Sequence, residues 1–113
     1  MSVIIDESNI IKMTRGDTLK ATLSIKDKNG NPYTPNKNDR IRFAVKEHYD
    51  DANVLIYKDI PYNTLVLTVN PEDTKQLKQN NHKYVYDIQI TQADGTVDTI
   101  IPTRYLIITN EVE

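Results

Sequence analysis

The stretch Lys83 to Thr91 constrains the fold of this chain more than any other. Tyr84, Tyr86, Ile88 and Ile90 alternate with Val85, Asp87, Gln89 and Thr91, a period of two that sends successive side chains to opposite faces of a strand. A strand with one apolar face needs a second layer over that face. The Asp94-Gly95 pair just beyond it reads as a tight hairpin turn. The run Asn70-Pro71-Glu72-Asp73-Thr74 before it has the marks of a helix start: an Asn cap, a proline at the first position and two carboxylates facing the positive end of the dipole. A short helix is therefore expected near residues 71–78, of about two turns at most.

The same alternation recurs along the chain. Leu19, Ala21, Leu23 and Ile25 face away from Lys20, Thr22, Ser24 and Lys26, and Asn29-Gly30 and Pro32 end that strand. Tyr33 to Asp39, with Pro35, reads as a loop crossing between sheets. Ile41, Phe43 and Val45 then mark another buried strand face, Val54 to Lys58 a short strand near an edge, and Asp59 to Asn63 a turn. Leu65, Leu67 and Val69 give a further apolar face. After Asp94-Gly95, Val97, Thr99 and Ile101 alternate until Pro102, which marks a bend or bulge at an edge, and Arg104 to Thr109 gives a last strand. Turn signals every 8 to 12 residues or so predict an all-β antiparallel sandwich of about seven to nine strands. The second sheet covering Tyr84 to Thr91 is expected to include Leu19 to Ile25 or Ile41 to Val45. At 113 residues the chain reads as one domain, residues 1–113, with 1–8 as a flexible or edge segment.

Composition narrows the chemistry. The absence of cysteine excludes disulfides, thiolate zinc sites and cysteine nucleophiles. A net charge of -2 with interspersed signs argues against a nucleic-acid groove, and the N-terminal apolar run stops at Asp6, too short for a secretion signal or a membrane span. His48 and His82 fall in polar segments without partners at metal-ligand spacing, the three glycines form no phosphate loop, and Arg15-Gly16-Asp17 is explained by turn geometry. No enzyme, cofactor or metal site is expected. The aromatic balance is unusual, with seven tyrosines against one phenylalanine and no tryptophan. Tyr33, Tyr49, Tyr57 and Tyr62 form the possible interaction surface, three of them in loops, where a phenol offers flat contact area at low entropic cost.

Two resemblances follow from these residues. Asp73-Thr74 leading to Tyr84-Val85-Tyr86 resembles the entry to the F strand of immunoglobulin-like domains, with Tyr84 as the structural corner residue and Tyr86 where a cysteine would stand. The order Met13-Thr14-Arg15-Gly16-Asp17, Asp27-Lys28-Asn29-Gly30-Asn31-Pro32-Tyr33, Ile41-Arg42-Phe43-Ala44-Val45-Lys46, Asn70-Pro71-Glu72-Asp73-Thr74 and Tyr86-Asp87-Ile88-Gln89-Ile90 resembles the N-terminal domain of phage baseplate upper proteins and small tail proteins from phages of Gram-positive bacteria. That likeness implies an immunoglobulin-like sandwich serving as a structural part of a virion tail or baseplate, made in the host cytoplasm. It would be joined to copies of itself or to other tail proteins through exposed edges such as Val54 to Lys58 or Arg104 to Thr109. No nucleic-acid, membrane or small-molecule partner is expected. The alternative function is a carbohydrate- or cell-surface-binding module with Tyr33, Tyr49 and Tyr62 as its platform.

Overall fold

A computed structural model describes residues 3–5, 10–26, 29–78 and 80–110. Their order is β1 (Val3–Ile5), β2 (Ile11–Thr14), β3 (Leu19–Thr22), β4 (Arg40–Lys46), β5 (Ile56–Ile60), β6 (Val66–Val69), α1 (Pro71–Lys75), β7 (His82–Thr91) and β8 (Val97–Thr109). The fold is all-β with a single short helix among these residues. The strands divide into a larger sheet, β1-β2-β8-β7-β4-β5, and a two-stranded sheet, β3-β6.

The periodicity of β7 sets the core. Tyr84, Tyr86, Ile88 and Ile90 are each at most 4% exposed and cluster with Ile41, Phe43 and Val45 of β4 and with Leu19, Leu67 and Val69 of the smaller sheet. The cover over β7 is thus β3 with β6, whereas Ile41 to Val45 lies beside β7 in the same sheet. Each side chain buried to this extent contributes about 1.5–3 kcal/mol. Tyr84 and Tyr86 sit differently within the core. The Tyr84 hydroxyl accepts the Lys78 backbone N–H at 2.8 Å, and the Tyr86 ring tilts against Phe43 with centroids 5.3 Å apart.

Several expectations are corrected. The larger sheet is mixed, because β2 runs parallel to β8, Ile11 opposite Leu106. Arg104 to Thr109 is not an exposed edge: it lies between β2 and β7, and the outer strands of that sheet are β1 and β5. A bulge stands at Pro102 as expected, but the strand continues through it, so the two expected strands are one, β8. The pairing of β7 with β8 shifts register between Tyr86 and Ile88 and again between Ile88 and Gln89, each time giving β8 one residue more than its partner. These bulges absorb the proline and end the alternation, so Ile100 and Ile101 are both half-buried and Val97 is 54% exposed. β5 runs on to Ile60, two residues into the expected turn, and β3 stops at Thr22, although Leu23 still donates to the Leu65 carbonyl. The helix covers five residues rather than the longer span, and the chain turns back through Asn80 and Asn81, both at positive φ, a conformation Asn tolerates. Of the expected N-terminal segment, residues 3–5 form edge strand β1 and the rest lies outside the described residues.

Helix α1 sits at one end of the two sheets. Asp73 accepts the Asn70 N–H at 2.8 Å and pairs with Lys58 on β5 at 2.8 Å, and buried Thr74 accepts the Gly16 N–H at 2.8 Å. Arg15 reaches the carbonyls of Lys75 and Leu77. The Arg15-Gly16-Asp17 turn is therefore committed to anchoring this helix. His82 is also engaged, contrary to its expected place in an unpartnered polar segment. It opens β7, and its Nε2 lies 2.6 Å from Glu47 Oε1 at the end of β4.

Two stability predictions arise here. Tyr84→Phe keeps the ring but deletes the acceptor of the Lys78 amide, and should cost about 1–3 kcal/mol, seen as a lower urea midpoint at an unchanged slope. An unchanged midpoint would show that solvent replaces the bond. The His82 contact, the largest cause, holds the Glu47 carboxyl below its ordinary pKa. A lowered carboxylate pKa stabilises the folded chain fully above the unfolded value, and that contribution disappears as pH falls through the folded one. Since both side chains are about 30% exposed, the contribution is below about 1 kcal/mol. Glu47→Gln should therefore melt slightly below the wild type near neutral pH, and the gap should close as pH falls through the folded-state pKa. A gap that does not narrow on acidification would remove Glu47 from this role.

Candidate functional site

The outward face of the larger sheet is read from its register. Because Ile41, Phe43 and Val45 point inward, Arg42, Ala44 and Lys46 point outward on β4, as do Lys83, Val85, Asp87 and Gln89 on β7. Val85 lies opposite Tyr105 of β8, Ala44 opposite Asp87, and Ala44 opposite Tyr57 of β5. Tyr49 and Val54 reach the same face from the connection between β4 and β5. They line a groove of about 200 Å³ with Ala44, Tyr57, Val85 and Thr103. A second groove, about 380 Å³, continues it past Tyr49, Val85 and Thr103 to Ile10, Arg104 and Tyr105.

Large apolar surface is concentrated here. Tyr49 is 74% exposed, Tyr57 56%, Tyr105 48% and Val54 42%. Ala44, at 5%, is buried on the outward side, beneath its larger neighbours. Polar groups frame the patch. Arg42 donates to Asp87 at 2.9 Å, with both side chains 28% exposed, and the Lys83 ammonium lies 5.5 Å from the centre of the Tyr105 ring. A partly exposed pair of this kind adds little stability, but it fixes the two side chains that floor the first groove. The smallness of Ala44, Val85 and Thr103 between larger neighbours is what makes the surface concave. The arrangement presents flat aromatic area with a charged border and suits surface recognition.

The remaining tyrosines stand elsewhere. Tyr33 is half-buried on the loop before β4. Its hydroxyl donates to Asp39 at 2.7 Å and lies 3.4 Å from Gln92 Nε2. The bond to the Asp39 carboxylate, the largest cause, holds the phenol's pKa above its ordinary value, so this hydroxyl is occupied in bracing the loop. Tyr62, 41% exposed, follows β5 beyond Ile60, which pairs with Ile41 at the start of β4. Tyr49 follows the other end of β4, about 20 Å away by strand rise. Tyr33, Tyr49 and Tyr62 therefore do not form one platform, whereas Tyr49 and Tyr57 do share a surface.

Val54 and Tyr105, which fall within the segments expected to pair as edges, complete that surface with Val85. For Tyr105 and Val85 the signal is outward position in an alternating strand, and this acquires meaning only when β8, β7, β4 and β5 are known to be neighbours; Val54 reaches the face from the connection before β5. Among the described residues, no group of three or more His, Asp or Glu side chains is placed to hold a metal ion, and no helix is long and apolar enough to cross a membrane. In comparisons with known proteins, no family model matches the chain, and no curated protein or solved structure is significantly similar to it.

Proposed function

We propose that the chain is a non-enzymatic, immunoglobulin-like sandwich that acts through protein-protein contact as a structural component of a phage or prophage tail or baseplate. The observation that carries the contact reading is the shared exposure of Tyr49, Tyr57 and Tyr105 on one face of a hydrogen-bonded sheet. Tyrosine is favoured at recognition surfaces because its ring buries much area while ordering few torsions. Here the rings of Tyr57 and Tyr105 stand on strands whose inward neighbours are packed in the core, so binding orders little backbone.

Three features support the immunoglobulin-like assignment. The sheet order β2-β8-β7-β4-β5 places a parallel first strand beside the last one and an edge strand beyond β4. The β3-β6 pair faces it across the core. The Tyr84 hydroxyl reaches a backbone amide upstream of its own strand, the contact a tyrosine corner makes. The virion setting rests on the resemblance carried by the ordered turns and strands from Met13 to Ile90. Within that setting the partners are other tail or baseplate proteins, or further copies of the chain.

The experiment is to combine the purified protein with dissociated tail fractions and to compare it with Tyr49→Ser/Tyr57→Ser/Tyr105→Ser by sedimentation and crosslinking. Each surface change should shift stability by no more than about 0.5 kcal/mol. Loss of one central aromatic anchor at about 2 kcal/mol should weaken association about thirtyfold, and loss of two several hundredfold or so. Wild type and triple variant that behave identically, or a wild type that stays monomeric and captures no tail protein, would refute the proposal.

A further inference from the structure

Charge on the same face identifies the kind of partner. The rungs that display the aromatic patch also display cations: Lys12 lies beside Ile107, which lies beside Lys83, and Lys46 lies beside Val85, while Arg40, beside Thr91, stands at the far end of β4. All four project outward, because the residues alternating with them are the buried ones. Arg104 lines the groove next to Tyr105. The carboxylates on the strands of this face are Asp59 and Asp87, and Asp87 is held by Arg42; Asp50 and Asp51 follow Tyr49 on the connecting loop, where Asp51 accepts the His48 N–H. The outer face thus carries a basic frame around an aromatic centre.

We propose that this face docks an acidic surface of a partner protein. The inference rests on the contact reading above and adds the chemistry of what is contacted. Complementary potential across the rim steers the encounter and fixes its register, while desolvation of the central rings supplies the holding energy. Lys83 contributes to both, since its ammonium stands over Tyr105 and a carboxylate approaching that ring meets the cation. Two copies of the chain packed face to face would oppose Lys12, Lys46, Lys83 and Arg40 with their own kind, which disfavours that pairing.

The test uses the full chain with four probes: a peptide of Glu residues interrupted by two Leu, its Gln-for-Glu counterpart, an oligothymidylate, and the protein alone. At about 20 mM salt the acidic peptide should bind with amide shifts confined to the neighbourhood of Tyr57, Val85 and Tyr105. Binding should weaken about tenfold by about 200 mM, and the Gln peptide should bind at least about tenfold more weakly. Lys46→Glu/Lys83→Glu should lower affinity by a similar factor without moving the thermal midpoint; a lowered midpoint is met with Lys46→Gln/Lys83→Gln, judged on the same loss. Equal binding of the two peptides, no binding of either, tighter binding of oligothymidylate, or only salt-sensitive self-association would each overturn the acidic-partner assignment. If the tyrosine variant still loses its association with tail fractions in any of those cases, the contact face stands and the charge inference alone falls. If that variant retains its association, both fall.

Discussion

Packing of the inward face of β7 against the β3-β6 pair is the contact on which the rest of the structure depends. β7 is hydrogen-bonded on both sides, to β4 and to β8, and every second residue from Tyr84 to Ile90 is buried. Removing it would separate β8 and β2 from β4 and β5, because no other strand bridges those pairs. The Tyr84 hydroxyl adds a fixed point at the base of the strand through the Lys78 amide, and Leu77 beside it is buried in the same core. The short helix, the turn that follows it and the Arg15-Gly16-Asp17 turn are thus held at one end of the two sheets by contacts that converge near the beginning of β7.

Which parts of this were legible in the sequence follows from how local the signals are. Alternation needs only a few neighbouring residues, and the buried faces of β3, β4, β6 and β7 can be read from it directly. Gly30 and Gly95 stand at positive φ in the turns where Asn-Gly and Asp-Gly place them, because only glycine adopts that backbone without cost. Pairing is different. The parallel contact of Ile11 with Leu106 joins residues far apart in the chain, and nothing near Ile11 specifies its neighbour. The continuity of β8 through Pro102 was hidden for a related reason. A proline ends a strand unless a bulge relieves the ladder, and the bulges are visible only against the register of β7.

The proposed contact face is legible only in part for the same physical reason. Tyr49 and Tyr57 stand out as aromatic residues in or next to a polar stretch, so they can be named without a fold. Tyr105 sits between Arg104 and Leu106 in a run rich in Ile and Leu, and its outward direction becomes significant only through its rung with Val85. Conversely, Tyr33 has the sequence surroundings of a recognition residue, but Asp39 six positions later captures its hydroxyl. A loop tyrosine with a nearby carboxylate is ambiguous in sequence, since the same pair of groups can brace a loop or meet a ligand.

The placement of the aromatic patch on strands also bears on how such a face can vary. Ala44, Val85 and Tyr57 alternate with Val45, Tyr86 and Ile56, so each outward residue is anchored by an inward one that the core requires. Substitution outward leaves the inward packing intact, and its cost is set by exposed contacts, which are small. The face can therefore change its aromatic and charged residues while the burial of β7 continues to specify the fold. The limit lies where the two sides touch: Ala44, 5% exposed beneath the patch, has no room for a larger side chain unless its outward neighbours move, and overpacking of that kind costs about 1–3 kcal/mol. Variation of this surface is thereby directed to Tyr49, Val54, Tyr57 and Tyr105, whose rings and side chains meet solvent, and away from the small residue beneath them.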